Sequence, residues 1–359
     1  MNCIGDFMVF CMKCGANLPD DANFCNKCGQ RISRRGENTR PNWEVQVEDA
    51  LNNAARSIEV GFKVAKESIW ESTKGFMGHR VHKNRAFTGE LPEQKVEFSV
   101  DNINGPIKLT TWEKEEYRVE LEIVAGGTSI DEAERYMEQL RIDLMETTVE
   151  DQKRLNLIIE KPQETWRYYS VDIEVFLPLK AIVDLDLESS NGPISIFNVN
   201  GEKANIHTSN GNLTIEKTKY SSMKGKTSNG KINISNIDAD IIDLKTSNGL
   251  IQGKLEGREV KLKTSNGRIF LNIPCEQSGI YQLSTSNGDI VARVARGENI
   301  GYSVDLHTNL SNVNVDLPQL SYRRDRKNSK VAETMGYESR DVKIKIEANT
   351  SLGRIEVND

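Results

Sequence analysis

At 359 residues with 37% hydrophobic side chains, the chain can bury a large core and carry a small appendage beside it. With 47 basic against 53 acidic residues its net charge is −6, which excludes a surface that binds polyanions everywhere and requires any basic site to be local. No run reaches the roughly 18 uninterrupted apolar residues of a membrane span, and the opening MNCIGDFMVF lacks the basic start and apolar stretch of a secretion signal. The expectation is a cytoplasmic protein with no transmembrane span.

Cys3, Cys11, Cys14, Cys25 and Cys28 crowd the first 28 residues, and Cys275 stands apart, a distribution that reads as a local clip and not a disulfide framework. In CMKCGANLPDDANFCNKCG two CxxC pairs flank ten residues, and Gly15 and Gly29 after each pair allow tight turns. Cys11, Cys14, Cys25 and Cys28 are the predicted ligands of a structural Zn2+, because four thiolates suit its tetrahedron and so short a segment needs the metal to fold. A redox dithiol pair or a disulfide clip is the alternative. Four sulfurs leave no open position, so the metal is not expected to be catalytic. The segment Phe10 to Gln30 resembles the short N-terminal zinc-ribbon family of prokaryotic proteins. That resemblance implies binding of protein or nucleic acid. Such ribbons often begin near the first methionine, so a start at Met8, without Cys3, is one expectation. The ribbon spans 8–32, and Arg31, Arg34, Arg35 and Arg40 after it read as a solvated linker.

Residues 33–91 read as that basic linker, an amphipathic helix and a connecting loop. From Trp43 to Phe76, Val47, Leu51, Ala55, Ile58, Phe62, Ala65, Ile69 and Phe76 fall mostly three or four apart and form one stripe. The opposite face balances acids and bases, whereas a membrane-surface helix favours lysine and arginine there. Docking on the large domain, a protein partner or self-association through 43–76 is therefore expected. His79 and His82 lack further ligands and read as exposed loop histidines.

Residues 92–180 alternate with period two in KVEFSV, GPIKLTTW, YRVELEIV, RLNLIIE and VDIEVFLPL, which predicts strands. Among them SIDEAERYMEQL predicts a capping helix, with Ser129 and Glu132 as its capping box and Ile130, Ala133, Met137 and Leu140 as its stripe.

Residues 181–359 carry a repeat. Gly192, Gly211, Gly230, Gly249, Gly267 and Gly288 are spaced 19, 19, 19, 18 and 21 residues apart, each ending TSNG or a near copy. Two positions after each glycine stand Ile194, Leu213, Ile232, Ile251, Ile269 and Ile290; five before stand Leu187, Ile206, Gly225, Leu244, Leu262 and Leu283. Asn-Gly between strands is ordinarily a hairpin signal, since both residues tolerate positive φ. A hairpin does not demand the repeated Thr-Ser, however, whereas parallel stacking in register sets each polar side chain about 4.8 Å from its copy. The fold class predicted is mainly β, a parallel β-solenoid (β-helix) of short coils with two strands per turn and TSNG at one corner. VKIKIEANTSLGRIEV supplies a last coil, and the charged insertion 321–341 reads as a mobile loop.

Over Val96 to Val357, VFLPLKAIVDLDLESSNGPI and the TSNG corners resemble the bacterial and archaeal adhesin-type β-helix family that includes Lia-operon-type proteins. The resemblance implies a parallel β-helix of largely unassigned function.

Signs of an enzyme are missing from the sequence. Glycoside cleavage needs two carboxylates within about 10 Å, and the outward columns show no such pair on adjacent coils. His207 and His307 have no evident nucleophile partner. Two neighbouring outward columns do carry charge: Lys224, Lys226, Lys245, Lys261 and Lys263 face outward on three central coils against Asp243. They are the candidate anion-binding surface for an anionic polymer. The competing reading is a solvent face that keeps strands soluble. With few aromatics there, nucleic acid is the weaker partner. The sequence therefore points to a non-enzymatic scaffold or interaction protein. An envelope-associated adhesin-like protein and a nucleic-acid-associated factor acting through the ribbon are the alternatives.

Overall fold

The computed structural model describes residues 9–10, 17–18, 27, 78–91, 95–160 and 168–359. Contacts divide the chain into two units, 1–60 and 61–359. In the first unit, strands β1 (Val9–Phe10) and β2 (Asn17–Leu18) pair antiparallel, with Val9 opposite Leu18. The predicted helix over 43–76, the arginines after the ribbon and the four zinc-ligand cysteines lie outside the described residues.

The second unit is built on the TSNG period. Strands β13 (Leu213–Lys226), β14 (Ile232–Lys245) and β15 (Ile251–Lys263) run parallel and in register, so that Ile232 meets Leu213 on one side and Ile251 on the other. Neighbouring coils extend the same stack. Toward the N-terminal end lie β12 (Gly201–Thr208) and then the coil of β10 (Ile182–Ser189) and β11 (Ile194–Phe197). Toward the other end lies β16 (Ile269–Ile273), followed by the coil of β17 (Gly279–Ser284) and β18 (Ile290–Val294). The parallel solenoid expected from the repeat is thus the observed architecture.

Each long strand is bent, and the coil has three straight runs where two were expected. In β13 the alternation of buried and exposed residues breaks at Lys217 and again between Tyr220 and Met223. Lys217 has φ 51, and Asn198 and Asn236, six residues past their own corner glycines, have φ 57 and 52. A left-handed residue turns the chain there without a glycine.

Chain order fails at both ends. The first coil, β4 (Lys95–Asn102) with β5 (Ile107–Trp112), sits between the β10–β11 coil and the later strands β8 (Gln152–Glu160) and β9 (Tyr169–Pro178). The last coil, β23 (Val342–Thr350) with β24 (Ile355–Asn358), is inserted between the β17–β18 coil and the earlier strands β19 (Ile300–Thr308) and β20 (Val313–Val315).

Antiparallel strands then close the stack. At one end β7 (Arg141–Val149) pairs with β8, and β6 (Glu116–Gly127) pairs with β9 and with β3 (His79–Glu90). His79 and His82 are exposed as expected but lie in β3 and not in a loop, because they continue its pairing with β6. At the other end the charged insertion is no loop: β21 (Leu320–Arg326) and β22 (Ser329–Thr334) form a hairpin whose β22 covers β19. A cap of this kind satisfies strand groups that would otherwise recruit other chains.

Helix α1 (Ile130–Gln139) starts as predicted, with the Glu132 N–H donating to Ser129 Oγ at 3.2 Å. Its Glu132 carboxylate reaches one residue further back than a capping box does, accepting from the Thr128 N–H at 2.6 Å. Ala133 and Met137 are buried and Leu140 partly so, but Ile130 is 53% exposed. The core is one continuous cluster running the length of the stack, from Phe98 through Ile232 to Val357.

Candidate binding surface on the solenoid

The TSNG corner is built by three ladders. Each threonine is buried; Thr227 Oγ1 donates to the Gly211 carbonyl at 2.8 Å and accepts the Gly230 N–H at 3.1 Å. Each serine carbonyl on the central coils accepts two N–H groups from the next coil, as Ser228 does from Ser247 and Asn248. Each asparagine side chain donates to the one before it: Asn210 to Asn191 at 2.8 Å, Asn229 to Asn210 at 2.7 Å, Asn248 to Asn229 at 2.8 Å, Asn266 to Asn248 at 2.8 Å and Asn287 to Asn266 at 2.6 Å. Asn191 donates to Asn104, so the ladder enters the inserted first coil.

The glycines are required for space and not for φ. None of the six has positive φ, but a Cβ on Gly230 would stand 1.8 Å from the Gly211 carbonyl oxygen, and Gly211, Gly249, Gly267 and Gly288 are the same within 0.1 Å. The threonine hydroxyls, the asparagine Nδ2 groups and the serine and glycine carbonyls of the central corners are committed to a neighbouring coil or to their own turn. The corner therefore shapes the fold.

The outward face next to this corner offers free charge. Strand pairing puts Lys226, Lys245 and Lys263 in one column on consecutive coils, with His207 before them, and Lys224, Asp243 and Lys261 in the next column. All five lysines are exposed. Lys245 is held by Asp243 at 2.7 Å and Lys261 by Glu259 at 2.6 Å. Lys224, Lys226 and Lys263 make no ion pair among the described residues. Between these columns lies a shallow depression of about 260 Å³, lined by His207, Lys224, Lys226, Asp243 and Lys245 around Gly225. Outward side chains leave such a hollow only in three dimensions, and the column pattern gave no sign of it.

A second depression, of about 520 Å³, crosses β3, β6 and β9 and is lined by Arg85, Arg118, Glu120, Glu122, Asp172 and Glu174. Its charges are largely matched already, Arg118 to Glu120 at 2.5 Å and Glu174 to Lys108 at 2.6 Å. It offers less unspent charge than the lysine face.

Other candidates lead elsewhere. Cys275 is buried, and burial pushes its thiol up to about 12, which makes it a poor nucleophile. His307 bonds Asn309 at 3.1 Å on the surface. Glu216 and Glu256 are buried, and desolvation raises the pKa of both. For zinc, the donor set fits: four thiolates, with the β1–β2 pair bracketing Cys11 and Cys14 in sequence.

Residues 36–351 match the family model described as Toastrack DUF4097, and residues 10–32 match a zinc-ribbon domain. Among curated proteins none matches. Three solved structures align over 77% of this chain. A "putative cell adhesion protein" of Clostridium sporogenes aligns over 99% of its own chain at 9% identity and TM-score 0.23. A "putative adhesin" of Bacteroides fragilis aligns over 97% at 13% and 0.34, and another of Parabacteroides distasonis over 97% at 14% and 0.31. Likeness at that level says nothing of what this chain binds. Among the described residues no helix is long and apolar enough to cross a membrane.

Proposed function

The chain belongs to the Toastrack DUF4097 family, and on that premise we propose that it is a non-enzymatic interaction protein whose solenoid presents a cationic strip to an anionic partner. One observation carries the reading: Lys226, Lys245 and Lys263 are stacked in register on consecutive coils. Two lysine charges about 4.8 Å apart repel by roughly 0.9 kcal/mol even at the dielectric of water. An anion lying along the column relieves that repulsion, and Lys224 lies at its side to join it. The strip also protects exposed strands from aggregation, so binding has to be measured.

At the N-terminus, Cys11, Cys14, Cys25 and Cys28 would hold a structural Zn2+, supplying the fold energy that so short a segment lacks. Thiolate ligation suits a reducing compartment, which supports a cytoplasmic location. A protein partner or a second copy would engage the 43–76 segment.

The test is binding of labelled polyphosphate to the full chain, to Lys226→Gln/Lys245→Gln/Lys263→Gln, and to a charge-matched control, Lys83→Gln/Lys203→Gln/Lys254→Gln. The expected result is salt-sensitive binding that weakens roughly tenfold in the first variant, from about 0.5 kcal/mol per exposed contact, and little in the control. Equal loss in both variants, or no binding by the full chain, overturns the proposal.

A further inference from the structure

The asparagine ladder has a direction and an open end. Each Nδ2 donates toward the N-terminal end of the stack, and the last acceptor there is the Tyr169 carbonyl, reached by Asn104 at 2.9 Å. Every asparagine from Asn191 to Asn266 therefore both donates and accepts through its side chain. Among the described residues the Asn287 side chain only donates. The coil stacked on it carries Leu352 where the others carry asparagine, with the Leu352 N–H on the Ser286 carbonyl as an asparagine N–H would be. The next coil has Leu310 there, bonded likewise to the Ser351 carbonyl. These leucines are 53% and 77% exposed and cannot donate to Asn287 Oδ1.

All seven ladder asparagines precede glycine, the dipeptide in which the following backbone nitrogen is least hindered. We propose that Asn287 is a deamidation site, and that the ladder protects its other members in order, so that the reaction advances coil by coil from Asn287 toward Asn191. In the step, the Gly288 nitrogen forms a bond to Asn287 Cγ, the bond from Cγ to Nδ2 breaks, and the glycine N–H proton leaves with the departing ammonia. Water then opens the five-membered imide to aspartate or isoaspartate. Cyclisation requires the side chain to leave its ladder rotamer. An inner asparagine must break two side-chain hydrogen bonds to do so, and Asn287 one.

The product carries no Nδ2, so Asn266 Oδ1 loses its donor and Asn266 takes over the exposed status of Asn287. The isoaspartate form also adds a backbone methylene beside a glycine whose Cβ would already lie 1.8 Å from the Gly267 carbonyl. Each event thus loosens the corner it occurs in.

The full chain would be incubated at pH 8.5 and 37 °C and mapped by peptide mass spectrometry, with isoaspartate located by fragmentation. Asn287 is expected to deamidate about fivefold faster than Asn229, the ratio that one hydrogen bond of ordinary net strength supplies. Asn266 should follow it, and all seven sites should react alike in denaturant. Leu352→Asn supplies the missing donor. It should slow Asn287 by the same factor and transfer the fastest reaction to position 352. Equal rates at Asn287 and Asn229 in the folded chain, or an Asn287 rate unchanged by Leu352→Asn, overturn the proposal.

Discussion

The middle of the solenoid and its two ends solve the same problem differently. From β10 to β18 the coils stack in chain order, and identity between neighbours does the work: threonine on glycine, serine on serine, asparagine on asparagine. Toward the C-terminal end identity runs out, with Leu352 and Leu310 in place of asparagine, and at both ends chain order is broken. The first and last coils are both inserted one layer inward. A coil at the end of a stack has one neighbour and frays; a coil wedged between two cannot leave without opening both. The difference teaches that a repetitive stack can be stabilised by sequence in its middle but needs topology at its termini.

Removing residues 342–359 should have the largest effect. It strips β17, β18, β19 and β20 of their shared partners, and the expected outcome is aggregation on size exclusion with light scattering. A monodisperse truncated chain with an unchanged unfolding midpoint would show that the insertion is dispensable. In the middle, Gly230→Ala places a Cβ 1.8 Å from a carbonyl oxygen held by the neighbouring coil. A loss of about 3 kcal/mol in chemical denaturation is expected, the upper range for overpacking; a loss under about 1 kcal/mol would mean the corner yields.

The smallest effects concern pH, and the two regions should respond with opposite sign. Burial holds Glu216, in the middle, above the usual carboxylate range. Its folded pKa exceeds its unfolded one, so its stabilising effect is complete below the ordinary carboxylate pKa and is lost as pH rises through the raised value. Glu216→Gln should therefore stabilise the chain at neutral pH and cease to do so in acid. At the N-terminal end, hydrogen bonds from the Thr128 hydroxyl and N–H and from the Tyr136 hydroxyl hold Glu132 down to about 2. Its contribution is present above the ordinary pKa and is lost as pH falls toward 2. Glu132→Gln should destabilise at neutral pH and matter little in strong acid. Midpoints of both variants across pH check the signs, and parallel curves would contradict the assignment.

Much of the middle was legible because identity at a fixed spacing is a statement about neighbours. TSNG spacing gave the coils, their register, the inward columns and the lysine face. Layer order at the ends was not legible: VKIKIEANTSLGRIEV reads as a coil wherever it stacks, and nothing local says it lies beneath β19. The bend six residues past the corner falls on Asn198, Lys217 and Asn236, and lysine rarely takes positive φ, so no shared turn residue marked the third run of each coil. The 321–341 segment looked too charged for a strand, yet β21 is the outermost strand of its cap, where charge is the usual protection. Of the candidate site, the lysine column was visible and the depression beside it was not.

The most direct measurement of this account is native-state hydrogen exchange read by peptide. Amides of β23, close to the end of the sequence, should exchange as slowly as those of β14, and those of β21, on the outside of the cap, should exchange fast. Rapid exchange across 342–350 with β19 protected would place the last coil outside the stack and contradict the insertion.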